Sequence, residues 1–308
     1  SASAVGLNVA GVDFVTTDIS KSYRKVGGAI IEINARPGLD IHIWPKIGKS
    51  RNVTADILKI VYPEDNNGRI PIVAVAGDKG IGAPARSLDM ILRGAGRSVA
   101  LVLREHSYLN GKSADMSNSQ REKAVRVMLR DPEVETLVST VSLRRAASRG
   151  LALEQCTLTI IMDKKLEDKT EQFYDGLNVV ERATSHCFVV GANNTPVINK
   201  IKAAEKRRLI MVSEHFNDPI LQSHLSDGQT AVTTIWNDGG VRTLLLSGAD
   251  VVASFNTDPI FSRENRLRKK RLTKGLMYAI AAAHGLGMSG PEIERAFNNA
   301  PTIIPDLH

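Results

Sequence analysis

Cysteine is nearly absent. The 308 residues contain two, Cys156 and Cys187, each alone inside an apolar run. That excludes a disulfide framework, and buried free thiols in a reducing compartment are the expectation. No apolar run approaches the roughly 18 residues of a membrane-spanning helix. The first residues, SASAVGLNVAGVDF, lack the charged start and long apolar core of a signal peptide. A cytoplasmic location with no membrane partner follows. Metal-binding spacing is missing too. Seven histidines occur, but no two stand as H-x₃-H and no cysteine pair joins them, which argues against zinc. His215 lies close to Ser213, yet no G-x-S-x-G elbow surrounds that serine, so a hydrolase triad is not expected.

What is present is an apolar fraction of 43%, enough for real cores, and a net charge of +7. The length fits one to three domains. Basic residues cluster at Lys200–Arg208 and in Arg263–Lys274, RENRLRKKRLTK. Such runs bind nucleic acid or an acidic polymer, or simply form a solvated helix face. No aromatic residues interleave the charges as a base-stacking platform requires, so nucleic acid is not the expected partner.

From Ile70 onward, apolar strands alternate with amphipathic helices. Strands are expected at 70–76, 98–103, 134–140, 157–162, 186–191, 208–213, 230–236, 241–246 and 250–255. Helices are expected at 84–94, 119–130, 168–182, 194–206, 216–226, 265–284 and 290–298. This predicts an α/β fold with a mainly parallel sheet flanked by helices. Its first unit is IPIVAVAGDKGIGAPARSLDMIL, residues 70–92: a buried strand, a turn through Gly77, Gly80 and Gly82, and a helix opening near Ala83–Pro84. A phosphate-binding loop has this plan, because backbone N–H groups and a helix N-terminus cradle the anion. Here Ile81 and Gly82 stand where Lys and Ser or Thr belong, and Lys79 precedes the glycine. Two readings remain at this point: an ordinary βα turn, or a nucleotide site of unusual chemistry.

Before residue 70, VGLNVAGVDFVTTD (residues 5–18) reads as a strand and GGAIIEIN (27–34) as a second. ARPGLDIHIWP is then a loop, and RNVTADILKIVY (51–62) a short helix ahead of the polar linker PEDNNGR, residues 63–69. Glu32 and Asn34 lie on one strand face by the period of two, and Asp13 lies on the neighbouring strand. Two carboxylates and an amide suit magnesium; the alternative is a polar solvent face.

The stretches GVDFVTTDIS, GGAIIEINARPGLDIH, RNVTADILKIVYP and NGRIPIVAVAG, in this order, resemble the cyanophycin synthetase family, in which an ATP-grasp domain precedes a Mur-ligase-like domain. The resemblance runs from about residue 5 to at least residue 200, and more faintly to about 300. It implies a C-terminal piece of an ATP-grasp domain over 1–50, a linker helix and loop over 51–69, and a Mur-ligase-like domain over 70–308. It implies Asp13, Glu32 and Asn34 as metal residues, with Glu32 and Asn34 also contacting ATP. Arg36, Gly38 and His42 would lie in the loop facing the acyl-phosphate and the incoming amine; for His42 a plain surface position is the alternative.

The Mur-like half departs from its family's pattern. The run STVSLRRAASRGL, residues 139–151, places Thr140 where a magnesium glutamate belongs. Asp163 and Asp168 fall near the positions of an asparagine and a histidine, and Asn193 and Asn194 replace an acidic pair. The Gly77, Gly80, Ile81, Gly82 turn is therefore expected to be non-functional, with no cofactor in this half. The pattern resembles the shortened second type of the family, which polymerises β-aspartyl-arginine dipeptides through its ATP-grasp domain. The expected activity is that of an ATP-dependent amide ligase acting on dipeptides or free amino acids. Mg²⁺ and ATP would serve the first half, cyanophycin polymer would be a partner, and the chain would assemble as a homo-oligomer. The fragment alone would be inactive. Two other readings are a non-enzymatic binding or oligomerisation module, and a Mur-type ligase that still binds nucleotide.

Overall fold

The computed structural model describes residues 6–7, 9–62, 68–114, 121–162, 170–203, 207–237, 240–256 and 266–299. The chain divides into two compact units, Ser1–Arg69 and Ile70–His308.

In the first unit, β1 (Gly11–Thr16) pairs antiparallel with β2 (Gly28–Asn34), and the four-residue helix α1 (Tyr23–Val26) lies between them. The stretch expected as a loop after β2 contains a short helix, α2 (Asp40–Ile43). Asp40 opens it and the carbonyl of Asp40 accepts from Trp44 N at 2.7 Å, a single closed turn. Helix α3 (Val53–Val61) follows, capped by Asn52, whose side chain accepts from Ala55 N.

The second unit is built on one sheet of 11 strands. Its elements in chain order are β3 (Ile72–Ala76), α4 (Gly82–Gly94), β4 (Val99–Val102), β5 (Ser107–Leu109), β6 (Lys112–Ala114), α5 (Arg121–Met128), β7 (Thr136–Val141) and α6 (Leu143–Arg149). Then come β8 (Cys156–Ile161), α7 (Glu171–Ala183), β9 (Thr184–Gly191), α8 (Thr195–Ala203), β10 (Arg208–Ser213), α9 (Pro219–Ser226), β11 (Thr230–Asn237), β12 (Gly240–Ser247), β13 (Asp250–Asn256), α10 (Arg266–Gly285) and α11 (Gly290–Asn298). The order across the sheet is β13-β12-β11-β10-β9-β8-β3-β7-β4-β5-β6. Pairing is parallel from β4 through β11 and antiparallel at both ends.

The strands read as continuous apolar runs because both sheet faces are covered. Val73 and Val75 of β3 point into a core shared with α4, α10 and α11. Ala74 and Ala76, one residue out of phase, point into the opposite core with α6, α7 and α8. Helix α10 meets α4 at Gly275, where a Cβ would lie 2.8 Å from the Cβ of Ala83. The β5–β6 hairpin turns on Asn110–Gly111, both at positive φ, the pair that a tight hairpin turn favours. The structure thus adds three elements to the sequence-based set in this unit: that hairpin's two strands and helix α6.

Candidate functional site

The hairpin of the first unit brings three of the predicted site residues together. Asp13 pairs directly with Glu32, and Gly11 with Asn34. Residues opposite one another in an antiparallel pair share a face, with Cβ atoms about 4.5–5.5 Å apart. Asp13, Glu32 and Asn34 therefore project from one side of the hairpin. A register shift between Asp13 and Phe14 leaves Ile31 as an extra residue in β2. It separates the acidic end from the apolar end, where Phe14 and Ile30 pair on the other face. Asp13 and Glu32 are exposed, and neither has a hydrogen-bond or ion-pair partner among the described residues.

The loop after β2 closes back on the hairpin. A Cβ at Gly11 would sit 2.8 Å from Pro37 Cβ, so glycine is required for this approach. Arg36 and Gly38 flank that proline on the surface. His42 lies exposed in α2, and its carbonyl accepts from Arg51 N at 2.8 Å. Ser50 Oγ donates to the neighbouring Ile43 carbonyl at 2.6 Å. The segment is thus tied down by its backbone while the His42 ring stays available. All three ligand candidates are oxygen donors, two of them unpaired anions. That set fits a hard divalent cation such as Mg²⁺ rather than a softer metal. Among the described residues, no group of three or more His, Cys, Asp and Glu side chains forms a separate metal cluster.

In the second unit the glycine turn keeps its shape. Gly80 has φ +75°, and a Cβ at Gly77 would fall 2.9 Å from Ile81 Cγ2. Gly77 N donates to the Val141 carbonyl at 3.0 Å, tying the turn to the end of β7. Its charge is another matter. Asp78 Oδ1 accepts from Ser142 Oγ at 3.1 Å, and its other oxygen lies 3.8 Å from Arg144 Nε. A carboxylate thus sits within the turn, held by Ser142 and facing Arg144. Arg86, which the sequence reading passed over, packs across the turn: a Cβ at Gly82 would lie 2.5 Å from its Nη1. No motif marks it; only the helical spacing of four from Gly82 hints at the contact.

Thr140 is buried at the end of β7, where its hydroxyl donates to the Val102 carbonyl at 3.3 Å. Asn194 is buried and opens α8. Asp163 and Asp168 lie outside the described residues, as do residues 63–67 of the polar linker and 263–265 of the basic run. Within that run, Lys270 and Arg271 are exposed. Ser213 donates to Asp218, the residue that caps α9, and accepts from His215's backbone N rather than meeting its ring. That explains the pair as a helix cap. Cys156 and Cys187 are free and buried, and burial pushes both thiols up to about 12.

No protein-family model matches the chain. The cyanophycin synthetase of Synechocystis sp. is 29% identical over 252 residues, which is 79% of this chain and 28% of that protein. The chain is homologous to part of cyanophycin synthetase. It spans about 28% of the length of the curated relative. A second, shorter similarity is to the glutathione biosynthesis bifunctional protein GshAB of Enterococcus faecalis, 33% identical over 63 residues, or 20% of this chain and 8% of that protein. Among solved structures, UDP-N-acetylmuramoyl-L-alanyl-D-glutamate–2,6-diaminopimelate ligase superposes with TM-score 0.55 at 12% identity, covering 82% of this chain and 50% of that one. This establishes the Mur-ligase fold. Among the described residues, no helix is long and apolar enough to cross a membrane.

Proposed function

We propose that the chain is part of an ATP-dependent amide ligase that polymerises β-aspartyl-arginine dipeptides, with its chemistry at the first unit and the second unit a non-catalytic scaffold. One observation carries this reading: the strand register puts Asp13, Glu32 and Asn34 on one face, the two carboxylates exposed and without side-chain partners among the described residues. Homology to cyanophycin synthetase supports the substrate class.

In this reading Asp13, Glu32 and Asn34 would hold Mg²⁺, which would supply charge neutralisation for phosphoryl transfer from ATP to a substrate carboxylate; amine attack on the acyl-phosphate would then form the amide and release phosphate. The chain's own part is electrostatic and positional. Asp13 and Glu32 supply the negative charge that holds a dication, and Asn34 adds a neutral oxygen or an N–H. Gly11 lets Pro37 pack down, which fixes the Arg36–Gly38 segment beside them. Arg36 is a permanent cation with no ion pair among the described residues, suited to an anionic substrate group. His42 is an exposed imidazole four residues beyond Gly38, of a type able to take a proton from the attacking amine.

The scaffold role of the second unit follows from its turn. The lysine and hydroxyl of a working phosphate loop are missing, and the carboxylate in the turn is engaged by Ser142 and Arg144. The test is ATP turnover by the full-length protein with Mg²⁺ and β-aspartyl-arginine. ADP release that depends on the dipeptide and yields insoluble polymer is expected. Turnover with free aspartate and arginine but not the dipeptide would overturn the substrate assignment.

A further inference from the structure

Helix α10 ends at the edge of the sheet where the parallel strands begin. Its last residue, Gly285, packs closely there: a Cβ would lie 2.5 Å from Leu158 Cδ1 of β8 and 3.2 Å from Cys187 Sγ of β9. One residue earlier stands His284, half-buried and unused by the reaction above. Both of its ring nitrogens are engaged. Nδ1 lies 3.0 Å from the Met288 carbonyl oxygen, and Nε2 lies 2.9 Å from Arg208 Nη2 at the start of β10. The same Nη2 donates to Thr230 Oγ1 at 3.0 Å, at the start of β11. One imidazole and one guanidinium thus tie the end of α10 to two strands.

These contacts fix the proton. A guanidinium has donors only, so Nε2 accepts from Arg208; a carbonyl only accepts, so Nδ1 donates to Met288. The ring is therefore neutral, in its Nδ1–H form. A proton added at Nε2 turns that acceptor into a donor facing a permanent cation. Burial holds His284 below the ordinary histidine value, against the pull of the Met288 carbonyl, and the Arg208 charge adds to it. Cys187 is the titratable group on the strand beneath, and burial keeps it a neutral thiol. On the helices packed against α10, Asp89 of α4 pairs with Arg93, and Glu292 caps α11 at Ser289. Neither of them, nor Glu294 of α11, pairs with the ring to offset a new charge.

Arg208 is exposed, so it can turn to water once the ring repels it. We propose that His284 is an acid-sensitive latch: protonation at Nε2 expels Arg208 and lets the last turn of α10 lift from β10 and β11. The neutral ring keeps the latch shut above the ordinary histidine pKa of about 6.5, and the hold is lost as pH falls below it. Cys187, buried beneath Gly285, is uncovered when the turn lifts. Cys156 belongs to the core on the other face of the sheet and stays covered. The latch is independent of the ligase reading, since neither ATP nor the hairpin takes part.

Thiol labelling of the 308-residue chain with a dipyridyl disulfide, which reacts in acid, reads the latch. Rates at about pH 7.5 and about pH 5.5 are each divided by the rate of the urea-unfolded chain at the same pH. Cys187 is expected to label at least about fivefold faster at the lower pH on this scale, with Cys156 unchanged. His284→Gln keeps a hydrogen-bonding side chain that does not titrate, and Arg208→Gln removes the opposing cation. Each should erase the pH difference, and if one fails to melt cooperatively the other decides. In the wild type, NMR titration of the His284 ring should give a midpoint below about 6.5. An unchanged Cys187 rate, a pH difference that survives in a folded variant, or a ring midpoint at or above that value each overturns the proposal. So does Cys156 opening in step with Cys187, which would mean acid unfolding of the whole unit.

Discussion

Asp13 and Glu32 face each other across a two-stranded hairpin; that Glu32 shares its face with Asn34 was readable because a strand's period of two is a local rule. The Asp13–Glu32 pairing itself depends on the strand register, which is not legible in the sequence. Arg121 and Arg86 were not readable. Each acquires its meaning from a partner brought close by the fold, Thr140 in one case and Gly82 in the other. Asp78 was equally silent, because an acid in a glycine turn matters only once Ser142 and Arg144 are seen beside it. The two cysteines lie between these cases. Their apolar neighbours foretold burial, and burial holds both thiols protonated, with values of about 12. An unfolded thiol titrates near ~8.5. The neutral thiols thus stabilise the fold fully below that pH, and this contribution is lost as pH rises toward 12. At pH 8.5 the native chain should resist iodoacetamide, while the urea-unfolded chain loses both thiols. Native labelling at the rate of a free thiol would contradict the burial account.

Among the elements, the strands of the parallel sheet were the most legible, since double-sided burial writes them as unbroken apolar runs. The short edge strands β5 and β6 were missed although Asn110–Gly111 marks their turn. Helix α6 was missed because it offers little apolar surface: Leu143 and Ala146 are its buried residues. Its borders were nonetheless present in the sequence as Ser142 and Gly150, the cap at each end. What fixes α6 is tertiary contact with α7. A Cβ at Gly176 of α7 would lie 2.0 Å from the Leu143 carbonyl oxygen. Two effects of substitution oppose each other there. Gly176→Ala gains about 1 kcal/mol of helix propensity. The overlap with backbone cannot be relieved by a side-chain rotation, and overpacking of that kind costs about 1–3 kcal/mol or more. The steric term wins, so Gly176→Ala should lower the urea midpoint with an unchanged m-value. An equal or higher midpoint would show that α6 and α7 part easily.

In the molecule as a whole, fold likeness and exposed charge lie on different units. The larger unit has a Mur-ligase fold, while a carboxylate stands in its glycine turn and an arginine caps the strand end. The smaller unit has little core of its own, and Ile31 and Val15 remain exposed at 69% and 56%, yet it carries the free carboxylates. Fold likeness alone would point to the larger unit as the site of catalysis; the charges point to the smaller. The most direct measurement compares ATP-dependent polymerisation by two variants of the full-length protein. Glu32→Gln removes one ligand of the proposed magnesium site and should reduce turnover at least about a hundredfold. Lys79→Ala removes the exposed cation of the glycine turn and should leave turnover within about threefold of wild type. Near-normal turnover by Glu32→Gln together with collapse in Lys79→Ala would contradict the account and place the chemistry in the Mur-like unit.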